Sequence, residues 1–213
     1  MTKLWSASKK QILNSNLYKY EQFLNLKYKV KFGFNYNKIL NWSIKNPGKF
    51  WDSIWDFCKI KGKKNKKKII KSKIFFKNHF LPKTKLNFSE NLLSKNNNDK
   101  VITFVSENGF RKEISWKQLN VNVSKTIKFF KKIKIKKKDR VAAYMPNSIE
   151  TIEGFLATTA IGSIWSSCSP DFGTNGVIER FSQIKPKILI ITDKYFYNGK
   201  EINILERVPK ILK

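Results

Sequence analysis

The chain has 213 residues, of which 41% are hydrophobic and 14% aromatic, so it is long and apolar enough to fold around a packed core. Its formal net charge is +29, and 40 of its 44 basic residues are lysine. Because proteins that read phosphates and base edges favour arginine, this composition argues against a specific nucleic-acid partner, and a solvated lysine surface is the preferred interpretation.

The first sixty residues predict helices that pack through aromatic side chains. One apolar helical face has members at steps of three and four, namely Leu17, Tyr20, Leu24 and Tyr28. Asn46 followed by Pro47 predicts the N-cap and first residue of a second helix. Cys58 ends the apolar stripe of that helix, and we expect it to be a small core residue.

A run of nine lysines between Lys59 and Lys73 has no apolar periodicity and predicts an exposed connection. We therefore divide the chain into a helical region at 1–60, a basic connection at 61–85 and an α/β region at 86–213.

The α/β region begins with a short helix and a hairpin. Asn87 to Leu93 predicts a helix capped by Ser89. Val101 to Ser106 and Phe110 to Ile114 predict two strands joined by a turn that contains Gly109. Ser115 is then expected to cap an amphipathic helix, and the apolar face of that helix comprises Trp116, Leu119, Val123, Ile127 and Phe130.

Three short apolar strands alternate with helices in the second half of the chain. The strands are predicted at Arg140 to Met145, Ser163 to Cys168 and Lys187 to Thr192, with helices at Ile149 to Ile161 and near Thr174 to Ile184. This alternation predicts an α/β fold with a doubly wound, mostly parallel sheet, which is incomplete at the C-terminus.

Ligands of such sheets bind outside the carboxyl ends of the strands. Three loops lie there in the predicted topology: Pro146 to Ser148, Ser169 to Thr174, and Asp193 to Lys200. A strand-to-helix turn is the simpler interpretation of the first loop, which leaves the other two as the candidate ligand loops.

Six sequence blocks give a more specific signal. They are LNFSENLL at 86–93, DRVAAYMPN at 139–147, FLATTAIG at 155–162, GSIWSSCSPDFG at 162–173, ERFSQIKPK at 179–187 and YNGK at 197–200. In this order they resemble the N-terminal part of acetoacetate-CoA ligases, members of the adenylate-forming acyl-CoA synthetase superfamily. The resemblance implies a helical N-terminal region of the acetyl-CoA-synthetase type, followed by the first part of an AMP-binding domain.

Members of this family join acetoacetate to CoA with ATP and Mg²⁺, and they release AMP and pyrophosphate. The resemblance therefore implies these small molecules as substrates and cofactors of the full-length enzyme. The family's phosphate loop, rich in Ser, Thr and Gly and ending in lysine, has no counterpart among the nine glycines here. We accordingly assign no catalytic residue and no metal ligand, and we expect the isolated chain to be incomplete for catalysis. The alternative is an inactive remnant or split-subunit module that binds CoA or a C-terminal partner chain.

Two segments correspond to the CoA site of related acetyl-CoA synthetases. The implied CoA-binding residues are Ser169, Pro170, Asp171, Tyr197, Asn198, Gly199 and Lys200. The acetyl enzymes have two glycines in place of Pro170-Asp171 and arginines in place of Tyr197 and Lys200, and Asp171 would repel a polyanion. A structural alternative is that Ser169 and Asp171 cap the helix that follows.

Neither cysteine is expected to be catalytic. The chain has two cysteines, which exclude a disulfide framework, and Cys168 lacks an imidazole partner because His79 is the only histidine. No secretory signal is visible after Met1, and the least polar stretch, Gly154 to Cys168, is too short to span a bilayer. We expect a cytoplasmic protein without a membrane partner.

Overall fold

The structure is a computed structural model that describes residues 4–212. Met1, where a secretory signal would begin, lies outside the described residues, as does Lys213. The chain divides into two compact units, of which the first ends at Leu86 and the second begins at Asn87.

The first unit is built mainly from helices. They are α1 (Lys9–Asn14), α2 (Asn16–Tyr28), α3 (Tyr36–Lys45) and α4 (Pro47–Phe57), followed by a two-stranded antiparallel ribbon of β1 (Ile69–Ile70) and β2 (His79–Phe80). Tyr20, Leu24, Phe32 and Ile39 form the buried core of this unit. The predicted apolar face of α2 is thus confirmed at Tyr20 and Leu24, whereas Leu17 is exposed.

The aspartate Asp52 lies buried at the centre of an ion-pair network. Its carboxylate accepts from the ammonium groups of Lys27, Lys64 and Lys68 at 2.7 to 3.0 Å. The hydroxyl of Tyr28 donates to it at 2.9 Å. Burial alone would raise the pKa of Asp52, but the three ammonium groups and the hydroxyl outweigh burial and hold that pKa well below its ordinary value of 3.8.

The network changes the interpretation of the lysine run. Most side chains between Lys59 and Lys73 are exposed, as the sequence predicts. The run is nevertheless not a plain connection, because Lys64 and Lys68 bind Asp52 and because β1 lies within it. Two lysines of a run without apolar periodicity therefore attach it to helix α4.

A second carboxylate organises the loop between α2 and α3. Glu21 is buried, and one of its oxygens accepts from the backbone N–H groups of Phe32 and Gly33 at 3.2 and 2.8 Å. Its other oxygen accepts from the N–H of Phe34 at 3.1 Å. Gly33 and Phe34 both have positive φ, so Glu21 holds a loop conformation that would otherwise be unfavourable.

Two details of α4 differ from the prediction. Asn46 does occupy the N-cap position, but its side chain makes no capping bond and instead donates to the carbonyl of Trp42 at 3.1 Å. Cys58 is exposed, so its assignment to the core was wrong. It is the C-cap residue of α4, just beyond the last helical residue.

The second unit begins with α5 (Phe88–Leu92) and an antiparallel hairpin of β3 (Lys100–Val105) and β4 (Arg111–Ser115). The hairpin turn is confirmed, and Ser115 caps the next helix, α6 (Trp116–Lys132), through the N–H of Gln118. The predicted cap of α5 was wrong. Asn87 is the N-cap, while Ser89 lies buried inside the helix and donates to the carbonyl of Leu156 at 2.7 Å.

A three-stranded parallel sheet forms the centre of the second unit. The remaining elements are β5 (Arg140–Tyr144), α7 (Ile149–Ala160), β6 (Ile164–Cys168), α8 (Thr174–Ile184), β7 (Ile188–Ile191), β8 (Lys194–Tyr197), β9 (Lys200–Asn203) and α9 (Val208–Ile211). The strand order is β6-β5-β7, with β5 paired in parallel on both sides. The chain therefore winds first to one side of β5 and then to the other, which confirms the doubly wound sheet.

Helices cover both faces of this sheet. Val141 packs in a core cluster with residues of α6 and α7, including Val123 and Leu156. Ala142 and Tyr144 pack in a second cluster with Val177 and Phe181 of α8, a helix on the other face. Alternate residues of β5 thus point into two cores, as the period of a strand requires. None of the described helices is long and apolar enough to cross a lipid bilayer.

The two aspartates of α4 provide a matched test of the ion-pair network. We expect Asp52→Asn to lower the free energy of unfolding by about 2 kcal/mol, because Asp52 is buried and its loss leaves three lysines without their shared acceptor. Asp56→Asn should cost less than about 1 kcal/mol, since that carboxylate contacts Lys27 and Lys64 at the surface. Denaturant unfolding of both variants measures the difference.

The pH dependence of the same variants provides the contradicting outcome. A carboxyl whose pKa is lowered by folding stabilises the protein above its ordinary pKa, and this contribution is lost as the pH falls through the folded pKa. The difference between wild type and Asp52→Asn should thus stay constant down to about pH 5 and shrink below about pH 4. Equal costs for the two variants, or a difference that grows on acidification, would rule out the proposed role of Asp52.

Candidate functional site

The carboxyl ends of β5 and β7 border a cavity of about 750 Å³. β6 lies on one side of β5 and β7 on the other, so the order of the strands reverses at β5. The carboxyl ends of β5 and β7 therefore form the topological switch point, where open α/β sheets bind ligands. The cavity is lined by the turn of the first hairpin, the loop after β5 and the segment that enters β8, namely residues 104–108 with Phe110, 145–148 with Glu150, and 190–196. The carboxyl end of the sheet is therefore the candidate site.

The loop after β5 starts helix α7 and lines the cavity. Ser148 is the N-cap of α7, and its hydroxyl accepts from the N–H of Thr151 at 3.3 Å. Thr151 in turn donates to the carbonyl of Pro146 at 2.7 Å. These bonds support the interpretation of Pro146 to Ser148 as a strand-to-helix turn, although the turn also forms part of the cavity wall.

The charged residues of the cavity are mostly acidic. Glu107, Glu150 and Asp193 line it together with the single lysine Lys194. Burial would raise the pKa of Glu150, but hydrogen bonds to its own backbone N–H and to Lys112 keep that pKa below its ordinary value. Three acidic side chains against one lysine in the wall disfavour a polyphosphate in this cavity.

The predicted loop after β6 forms a tight turn at Ser169 to Phe172. The hydroxyl of Ser169 donates to the carboxylate of Asp171 at 2.7 Å, and the N–H of Phe172 donates to the carbonyl of Ser169 at 3.1 Å. Neither Ser169 nor Asp171 caps α8, because its N-cap is Gly173 and no side chain bonds there. Capping is therefore excluded as the reason for these two residues.

The second predicted loop, Asp193 to Lys200, is wrong in part, because β8 lies within it and the chain turns at Asn198 and Gly199 before β9. Asn198 and Gly199 both have positive φ, at 51° and 72°, which is typical of a two-residue type I′ turn. The N–H of Gly199 donates to the carboxylate of Glu107 at 3.3 Å, so the turns of the two hairpins meet. Tyr197 and Lys200 are exposed beside this turn, and no ion pair of Lys200 is found among the described residues.

The structure does not bring the seven predicted residues into the cavity. Both predicted turns lie at the carboxyl end of the sheet, but the cavity ends at Phe196 and does not include Ser169 to Asp171. The cavity instead uses Glu107 and Asn108 of the first hairpin, which sequence reasoning treated only as a turn. No sequence pattern placed that hairpin against β7.

Two arginine side chains contact the turn after β6. The guanidinium of Arg180 lies over the ring of Phe172, 4.4 Å from its centroid. Arg207 donates to the carbonyl of Pro170 and to the hydroxyl of Tyr144, both at 3.0 Å. Sequence reasoning missed Tyr144 and Arg207, although the scarcity of arginine in this chain was a usable signal.

No metal centre is present among residues 4–212, since no group of three His, Cys, Asp or Glu side chains there could hold an ion. Cys168 is buried at the end of β6, and burial raises the pKa of its thiol. A raised pKa keeps a thiol protonated and unreactive.

Comparisons with known proteins agree with the motifs. Residues 91–212 match the family model described as AMP-binding enzyme. An acetoacetyl-coenzyme A synthetase of Rhizobium meliloti (strain 1021) is 39% identical over 179 residues, which cover 84% of this chain and 28% of that protein. An acetoacetyl-CoA synthetase of Xenopus tropicalis is 36% identical over 214 residues, which cover 99% of this chain and 31% of that protein. The chain thus spans about three tenths of the length of these curated relatives.

A solved structure shares the fold. The acetoacetyl-CoA synthetase from Streptomyces lividans matches with a TM-score of 0.91 at 22% sequence identity, over 99% of this chain and 33% of that one. Together with the curated relatives, it confirms the resemblance drawn from the sequence blocks.

The two cysteines should differ sharply in reactivity. We expect a thiol reagent such as iodoacetamide to label exposed Cys58 in the folded protein and to label Cys168 only after unfolding. Mass spectrometry of labelled peptides measures both sites, and the Cys58→Ser variant provides the control. Rapid labelling of Cys168 in the folded protein would show that its thiol is accessible and would reopen a role for it in chemistry.

Proposed function

Because the chain belongs to the AMP-binding enzyme family, we propose that it is the N-terminal part of an acetoacetate-CoA ligase. The family reaction converts ATP, acetoacetate and CoA into AMP, pyrophosphate and acetoacetyl-CoA. The observation that carries this proposal is the identity of 36 to 39% to acetoacetyl-CoA synthetases, which continues through the sequence blocks.

We further propose that the two turns at the carboxyl end of the sheet bind the nucleotide end of CoA. The candidate residues are Ser169, Pro170 and Asp171 in one turn and Tyr197, Asn198, Gly199 and Lys200 in the other. Lys200 is exposed and offers an ammonium group to a phosphate. The lysine that lines the cavity, Lys194, is paired with Glu201, whereas Lys200 beside the turn has no ion pair among the described residues, which favours the turns as the place where phosphates bind.

Other groups in the turns fit CoA less directly. The N–H of Gly199 already donates to Glu107, which a phosphate would have to displace. Asp171 is occupied by Ser169, and this contact draws its carboxylate into the turn. Within this proposal, Lys200 contributes most of the attraction and the remaining residues shape the surface.

The residues of this chain do not fit the phosphates of ATP or Mg²⁺. Transfer at an α-phosphate requires a cradle of backbone N–H groups together with cations. The nine glycines form no such loop, and residues 4–212 provide no cluster of metal ligands. We therefore propose that this chain alone does not catalyse the reaction, and no catalytic residue is assigned to it.

A module without activity of its own is the second candidate. In this form the chain binds CoA or pairs with a separate C-terminal chain. The two candidates differ in whether the residues retained here support catalysis once the remainder of a ligase is supplied.

Exchange of labelled pyrophosphate into ATP tests the ligase. We expect no acetoacetate-dependent exchange by the isolated chain, because it lacks a phosphate cradle. A hybrid in which this chain replaces the aligned segment of the Rhizobium meliloti relative should restore exchange with acetoacetate, and the same assay without acid is the control. Exchange by the isolated chain would refute its incompleteness, while a folded but inactive hybrid would favour the inactive module.

Calorimetric titration with CoA tests the binding surface. Lys200→Ala should weaken binding about tenfold, which is the loss expected for one charged contact of about 1.4 kcal/mol. Lys194→Ala is the matched control on the same hairpin, because that lysine is paired with Glu201 at 3.0 Å. Equal losses in both variants would show that only the net charge matters, and an unchanged affinity in Lys200→Ala would contradict its assigned contact.

A further inference from the structure

The turn after β6 rests on a polar cluster that is built on Tyr144. The side chain of Tyr144 is fully buried at the end of β5. Its hydroxyl oxygen lies 2.9 Å from the carbonyl oxygen of Pro170 and 2.8 Å from that of Phe172. Two carbonyl groups of the turn therefore point at one hydroxyl group.

A single hydroxyl cannot satisfy both carbonyls, because it has one proton to donate. Arg207 supplies the missing donor, since its Nη1 lies 3.0 Å from the carbonyl oxygen of Pro170. The same nitrogen donates to the hydroxyl of Tyr144 at 3.0 Å, which directs the hydroxyl proton to the carbonyl of Phe172. With Arg207 in place, both carbonyls and the hydroxyl oxygen have partners.

The turn after β6 also lies close to the β8–β9 hairpin. Burial, followed by a hydrogen bond to the carboxylate of Asp171, raises the pKa of Tyr195. Tyr195 belongs to β8, two residues before Tyr197. The carboxylate of Asp171, which accepts from Ser169 in its own turn, thus lies close to the hairpin that carries the second proposed CoA segment.

The backbone that carries Arg207 is itself anchored. Arg207 ends a short 3₁₀ turn that follows Ile204, which is fully buried in the core cluster beneath α8. The N–H of Arg207 donates to the carbonyl of Ile204 at 3.0 Å. The guanidinium is therefore held at a fixed place relative to β5.

We propose that Arg207, acting through Tyr144, is a positioning residue that fixes the Ser169 to Phe172 turn in the shape that binds the nucleotide end of CoA. The part of this inference that concerns CoA rests on the proposed function, whereas the part that concerns the turn does not. Nη1 of Arg207 donates to the carbonyl of Pro170 and to Tyr144, and through these two contacts Arg207 acts on the turn.

Amide hydrogen exchange of the whole chain, followed by mass spectrometry, tests the turn. Arg207→Met removes the donors and Tyr144→Phe removes the hydroxyl while keeping the ring. Each should raise the exchange rate of the Phe172 amide about tenfold, which corresponds to one lost buried hydrogen bond. Arg207→Lys keeps a charged donor and should recover most of the protection.

Ser163→Ala is the matched control. It removes a buried hydroxyl that donates to the carbonyl of Lys136 at 2.7 Å, just before the opposite end of β6. It should lower overall stability without changing exchange at the turn. Unchanged exchange in Arg207→Met, or an equal rise in Ser163→Ala, would overturn the proposal.

Titration of the same variants with CoA separates the two parts of the inference. Arg207→Met and Tyr144→Phe should raise the dissociation constant about tenfold, while Arg207→Lys and Ser163→Ala stay close to wild type. A wild-type chain that binds no CoA would refute the proposed function of the turn, and the exchange result would then still decide the role of Arg207. Loss of protection without loss of CoA affinity would overturn the link between the turn and CoA.

Discussion

The second unit depends on one strand, β5. Four of its five residues, Val141 to Tyr144, are fully buried, and parallel neighbours pair with them on both sides. A strand without free edges or exposed faces fixes the register of β6 and β7 at once. Its last residue, Tyr144, then extends this order beyond the sheet, because its hydroxyl bonds to the turn that follows β6. Tyr144 thus belongs to the sheet through its backbone and to the proposed binding surface through its hydroxyl.

The strands and helices of this unit were predictable because their signals are local. Short runs between helical patterns gave β5, β6 and β7 to within about two residues, and the period of apolar residues gave α6, α7 and α8. The prediction errors occurred at residues whose role depends on contacts between distant parts of the chain. Ser89 was read as a cap because capping is local, but its hydroxyl bonds to the carbonyl of Leu156, 67 residues away. Cys58 continues the apolar periodicity of α4, but its side chain is exposed.

Single segments of the candidate site were predictable from the sequence, but the contacts between those segments were not. The sequence predicted a loop over Asp193 to Lys200, whereas the structure confines the turn to Asn198 and Gly199 between two strands. Its contact with Glu107 spans 92 residues, and the contact between Tyr144 and Arg207 spans 63. No local pattern specifies such pairs, since each depends on how the hairpins pack beside β7. For this reason the cavity and the polar cluster emerged only from the structure.

In this lysine-rich chain, the scarce acidic residues and arginines make specific structural contacts. Residues 1–86 contain 22 lysines and no arginine, but only three acidic residues. Each of the three is engaged: Glu21 holds a loop through backbone N–H groups, while Asp52 and Asp56 bind lysines.

The chain has four arginines. Two of them, Arg180 and Arg207, contact the turn after β6. An abundant residue type occupies many positions that require only solubility, so its presence at any one position says little. A scarce type at a turn with an internal bonding network is more informative, and one nitrogen of Arg207 donates there to two acceptors.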